Sequence, residues 1–178
     1  MTKLELLKNF TEKHVKLTEF ISSLPDIQFA ISRHGKWSPG QQLSHVNLCL
    51  KPILKALIAK GYLLQKFGKL TRATLDYETV VRNYTTALNN GGKAPDQFVP
   101  EEVTVADKKE LVSEMEMLLK SINDSTGHYT DEELDAMIMP HPLLGQLSIS
   151  EMFHLMTYHA EHHLNQTVHN LRDDINKN

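Results

Sequence analysis

Apolar residues recur every three or four positions along four long stretches of the chain, the spacing that gathers them on one face of an α-helix. Leu4, Leu7, Phe10, Leu17, Ile21 and Leu24 form the first stripe, with His14 set into it, and Pro25 closes that stretch near Ser22 to Leu24. Thr2 and Glu5 stand at its start with the spacing of a capping box. The second helix has the best-marked beginning, Trp37-Ser38-Pro39-Gly40-Gln41, with Ser38 as N-cap, Pro39 in the first helical position and Gln41 reaching back. It runs through Leu43, Val46, Leu50, Ile53, Leu54 and Leu57 to an expected stop at Gly61, and Pro52 inside it predicts a kink. Thr104 caps a third helix striped by Leu111, Met115, Leu118, Leu119 and Ile122, which Gly127 ends. Ser148 caps the fourth, with Glu151 as its partner. The inner face of that helix carries Met152, Leu155 and Met156, and then His159, His163 and Gln166.

The segments between these helices are less regular. Tyr77 to Leu88 predicts a shorter helix closed by Asn89-Asn90-Gly91-Gly92, and Pro95 and Pro100 mark a loop after it. Asp131 to Met137 predicts one short helical turn. In Pro140-His141-Pro142 the two prolines exclude a regular helix, which leaves His141 in a loop and outside the expected site. No stretch reads as a strand. The connector through Gly35 and the polar tail from Asp173 to Asn178 carry no element. The pattern predicts an all-α fold: an antiparallel four-helix bundle with a short extra helix and long connections, one domain over residues 1–178.

Composition narrows the functions open to such a chain. A formal charge of −3 supplies no broad basic field for nucleic-acid phosphates. Cys49 is the single cysteine, so no intramolecular disulfide forms, which fits a reducing compartment. The first residues lack the apolar core of a signal peptide, and no run of about 18 apolar residues exists. The expectation is a soluble cytoplasmic protein with no membrane or nucleic-acid partner. Lys51, Lys55, Lys60, Lys66, Lys69 and Arg72 fall in a stretch without acidic residues. They read first as a solvated face, and alternatively as a rim that attracts an anionic small molecule.

The candidate chemistry lies in the last helix. His159 and His163 are four residues apart, so both imidazoles can reach one spot and hold one metal ion. The same turn holds Glu161, but about 200° round the helix from His159, and this is not the HExxH arrangement of zinc proteases. His162 lies at the edge of the histidine face, as an outer or surface residue. His45 sits two turns into the second helix with Cys49 one turn on. Alone, His45 reads as a buried core histidine, Cys49 as a small buried filler, and His14 as a hydrogen-bonded histidine outside the site.

Taken in order, Trp37-Ser38-Pro39-Gly40-Gln41 leading into His45, and His141-Pro142-Leu143-Leu144-Gly145-Gln146-Leu147 leading into His159-Ala160-Glu161-His162-His163-Leu164-Asn165-Gln166, resemble the DinB/YfiT-like superfamily over nearly the whole chain. The resemblance implies an up-down-up-down bundle, commonly dimeric, whose metal is held by one histidine of the second helix and two of the fourth. By position these are His45, His159 and His163. Three neutral imidazoles fit zinc or nickel and leave at least one coordination position open.

The resemblance further implies a metal-dependent enzyme acting on a small molecule, foremost a transferase joining a low-molecular-weight thiol such as bacillithiol or mycothiol to an electrophile. Gln166 is the expected substrate contact. A metal-dependent hydrolase is the enzymatic alternative, and a non-catalytic, stress-associated binding bundle is the alternative from another class. No carboxylate is placed beside the metal as a general base.

Overall fold

Capping boxes start the helices where the sequence sets them. A computed structural model describes residues 1–32 and 35–172; part of the connector before Gly35 and the tail from Asp173 to Asn178 lie outside the described residues. Helix α1 spans Lys3–Ser23, with the Thr2 hydroxyl accepting from Glu5 N–H and the Thr2 N–H donating to the Glu5 carboxylate. A short α2 (Asp26–Ala30) precedes α3 (Pro39–Ile58), which opens on the Ser38–Gln41 box. Gly40 sits in this first turn because nothing larger fits. A Cβ there would lie 2.7 Å from a Val103 methyl and 2.8 Å from the Phe29 ring.

The expected stop at Gly61 does not occur. The chain turns at Ala59, and α4 (Lys60–Phe67) begins at once with Gly61 inside it. The reason is burial: Leu63, 3% exposed, joins the core and holds that turn helical against the glycine's low propensity. Asp76 caps α5 (Tyr77–Asn89) through Thr79 N–H. Two 3-10 turns, Asp96–Phe98 and Val105–Asp107, lead into α6 (Lys108–Thr126), so Thr104 caps the turn before the helix. The short α7 (Asp131–Ala136) follows as expected.

Where no strand was expected, β1 (Ile138–His141) and β2 (Gly145–Ser148) form an antiparallel hairpin, with Pro140 opposite Gln146 and His141 opposite Gly145. A two-stranded ribbon consists of edges, so Pro140, which has no N–H to give, is tolerated. Gly145 takes φ +70°, the left-handed region that the tight return needs. Helix α8 (Ile149–Arg172) then runs to the end of the described residues, with Ser148 and Glu151 exchanging the bonds of a capping box.

The long helices do not alternate in direction. His45 of α3 meets His159 of α8 while Gln42 meets His163, so α3 and α8 are antiparallel. Asn47 bonds Leu111, and Tyr129, just beyond α6, bonds Leu57; α3 and α6 therefore run the same way. Phe10 packs edge-on against Phe153, and Lys13 pairs with Glu161, so α1 and α8 are parallel as well. The order is up-down-down-up, in place of the up-down-up-down order expected. The cause is the long excursion between α3 and α6, which carries the chain back along the molecule so that α6 starts beside the start of α3.

Candidate metal centre and its cavity

The capped start of α3 and the middle of α8 face each other across the core and bring three imidazoles together. His45, His159 and His163 are 3%, 6% and 5% exposed. His159 Nε2 lies 3.2 Å from His45 Nε2 and 3.1 Å from His163 Nε2. Trp37 packs on this group from outside, 4.9 Å from the His45 ring and stacked nearly parallel to the His163 ring at 6.4 Å.

Neighbours fix which nitrogen of each ring bears the proton. His45 Nδ1–H donates to the Phe98 carbonyl at 2.7 Å, and His163 Nδ1–H donates to the side-chain oxygen of Gln42. Both rings, when neutral, therefore turn a bare Nε2 lone pair toward His159. If His159 carries its proton on Nε2, it faces two acceptors with one hydrogen. If the proton is on Nδ1, three lone pairs converge and that N–H is buried without a partner among the described residues. No pattern of three neutral rings satisfies every nitrogen. A cation at the convergence point takes up all three Nε2 lone pairs and leaves only the His159 Nδ1–H without a partner among the described residues, so the residues fit a divalent metal.

Extra protons do not answer the same need. Burial, reinforced by the neighbouring imidazoles, holds His159 and His163 well below the ordinary histidine range, and burial lowers His45 despite its bond to Phe98. At neutral pH all three are free bases, the form that binds metal.

The structure adds a residue that the sequence set aside. Cys49 Sγ lies 3.7 Å from His45 Nε2, and among the described residues His45, Cys49 and His159 bring one donor atom each within 4.8 Å of one another. Burial pushes the Cys49 thiol up to about 12, which suits a filler until a metal displaces its proton.

A cavity of about 300 Å³ opens beside the histidines, lined in part by His45, Cys49, Tyr84, His141 and His159. His141 is thus a correction: it stands on β1 and on the cavity wall, because the hairpin folds back against α8. Gln166 does not line the cavity. It is exposed, one turn beyond His163, with its amide 2.9 Å from His162 Nε2. His162 is half-buried, its ring edge-on to His163, and Glu161 points away to Lys13 at 2.8 Å. His14 is fully buried, with Nδ1–H donating to the Phe10 carbonyl. None of the six basic residues between Lys51 and Leu75 lines the cavity. Lys51, Lys60 and Arg72 are ion-paired with Glu114, Glu133 and Glu151.

Among the described residues no helix is long and apolar enough to cross a membrane. Comparison with curated proteins finds no match, and comparison with solved structures finds none. A family model described as the DinB superfamily matches residues 9–167, a span that contains His45, Cys49, His159 and His163 and all four long helices in the greater part of their length. With this match laid over the convergent histidines, the chain belongs to the DinB superfamily.

Proposed function

We propose that His45, His159 and His163 hold one divalent ion, zinc or nickel, and that the protein is a metal-dependent enzyme that joins a small thiol to an electrophile. The observation that carries this reading is the meeting of three Nε2 atoms, two with their tautomers set by outer partners, beside a cavity that His45 and His159 line. Bound there, the ion supplies Lewis acidity that lowers the pKa of a thiol or a water close by. The chain's own part is to present three neutral nitrogens, to hold His45 and His163 in register through Phe98 and Gln42, and to keep bulk water from the apolar wall. In the transfer a sulfur–carbon bond forms and the thiol proton is released. The electrophile's leaving group departs with its bonding pair, or an epoxide oxygen keeps that pair and takes a proton.

The test is elemental mass spectrometry on protein purified without a metal-affinity tag, beside His45→Ala and His163→Ala. About one zinc or nickel per chain, lost in both variants, is the expected result. A parent that holds no metal and takes up neither ion ends the proposal. Turnover that needs no thiol would move the assignment to a hydrolase at the same centre.

A second reading rests on Cys49. Four protein donors would close the coordination sphere, and the metal would then serve stability alone. Cobalt substitution separates the two: a sulfur-to-cobalt charge-transfer band, absent in Cys49→Ser, together with no turnover, is the signature of the closed site.

A further inference from the structure

The wall of the cavity away from the histidines is apolar, formed by residues such as Ile53, Leu63, Phe67, Met139 and Leu155. Tyr84 and His141 interrupt it, and the exposed Lys93 and Gln97 also reach the lining. Tyr84 is 7% exposed, and its hydroxyl has no hydrogen-bond partner among the described residues. Its ring lies edge-on between His141 and His159, 6.1 and 6.3 Å from them. His141 Nδ1 accepts from the backbone N–H groups of Leu143 and Leu144 at 3.2 and 3.3 Å. The neutral ring therefore carries its proton on Nε2, and no described residue accepts it. Tyr84 and His141 thus bring two hydrogen-bond donors without protein acceptors to the cavity, whose other polar lining side chains, Lys93 and Gln97, are exposed.

We infer that the cavity binds a small, largely apolar, uncharged molecule with one acceptor oxygen, of the carbonyl or epoxide kind, which receives hydrogen bonds from Tyr84 O–H and His141 Nε2–H. Such an acceptor answers both donors, whereas a hydrocarbon leaves them unpaired at a cost in affinity. A carboxylate would be buried against apolar side chains, with the exposed Lys93 at the lining as its cation. Burial keeps both donors in the donating form, raising the Tyr84 phenol to about 12 and lowering His141 to about 4. A polar thiol cofactor fits this wall poorly. The cavity therefore belongs to the electrophile, and this assignment of role, though not the binding, rests on the catalytic reading above.

The experiment is calorimetric titration of zinc-loaded and of chelator-treated protein with three probes of like shape: 4-phenyl-2-butanone, butylbenzene and 4-phenylbutanoate. The ketone is expected to bind about tenfold more tightly than butylbenzene. Tyr84→Phe should remove most of that advantage and leave butylbenzene unchanged, which also reports that the variant is folded. His141→Leu should weaken the ketone in the same sense. Equal binding of ketone and hydrocarbon, an unchanged ratio in Tyr84→Phe, tightest binding by the carboxylate, or binding of no probe would each overturn the inference. If the ketone binds to a protein that takes up no metal, the catalytic reading fails and this one stands. If metal is held and no probe binds, this one fails alone.

Discussion

Gln42 does for His163 what the Phe98 carbonyl does for His45: each takes the Nδ1 proton and leaves Nε2 free for the centre. Gln42→Leu removes that acceptor, so His163 is free to rotate or to exchange tautomer. Outer partners of this kind are worth about 10–100-fold in metal affinity. We expect zinc affinity, measured by competition with a chromogenic chelator, to fall within that range while the fold stays intact; an unchanged affinity would mean that packing alone orients the ring. The pairing of His159 with His163 was legible in the sequence because it is set by helical spacing. His45 was not legible as a ligand from its own surroundings and needed the resemblance, since 114 residues separate it from His159. Cys49, Tyr84 and His141 gave no usable signal. Cys49 is near His45 by four-residue helical spacing, which does not by itself mark a thiol as a ligand, whereas Tyr84 and His141 come near through the way α5 and the hairpin pack on α8, which no local pattern encodes.

At the scale of the element, the segment from Gly68 to Leu75, between α4 and α5, is pinned by one buried carboxylate. Glu151, with its side chain fully buried, accepts from Arg72 at 2.5 and 2.8 Å, from Leu75 N–H at 2.7 Å and from Ser148 N–H at 2.8 Å. Burial raises its pKa, but the bonds from Arg72 and the two backbone groups outweigh this and hold it below the usual carboxylate value of 4.5. Arg72→Ala leaves that charge buried with two neutral donors. Because Arg72 is itself 40% exposed, the expected loss, about 2–3 kcal/mol by urea unfolding, falls at or below the lower end for fully buried pairs. Loss below about 0.5 kcal/mol would mean that solvent already screens the pair. The capping boxes at Thr2, Ser38 and Ser148 were legible because each is written within four residues. The direction of α6 was not, because the length of a connection does not state where it leads, and the hairpin was hidden by Pro140 and Pro142.

For the whole molecule, buried histidines set an acid limit. His14 and His141 titrate near 4 in the fold against 6.5 when free, and His45, His159 and His163 are lowered too. Below pH 6.5 the unfolded chain therefore binds protons that the folded one refuses, so stability is lost as pH falls from 6.5 toward 4. Glu151, with a depressed folded value, adds its own loss below about 4.5. Melting temperature measured from pH 7.5 to 4 on metal-free protein should fall steeply through this window; a flat profile would show that these rings titrate freely in the fold. Zinc should raise the melting temperature from pH 7 down toward pH 5, because burial keeps the folded histidines in the free-base form over that window while protons keep the ion off the unfolded chain.

The pairing of α3 with α8 across the candidate centre delays its assembly in the life of each chain. Gln42 and His45 are made first, and the remaining nitrogens arrive only with residues 159 and 163, 114 residues separating His45 from His159. A nascent chain that has released α1 and α3 thus has only His45 and Cys49 of the candidate donors, and a chain cut short before α8 never acquires the two histidines of that helix. Once loaded, the ion ties the second long helix to the last across more than a hundred residues, as a crosslink would. Loss of the metal would then be felt first as loosening between early and late segments of the chain, the places where a protease would make its first cut.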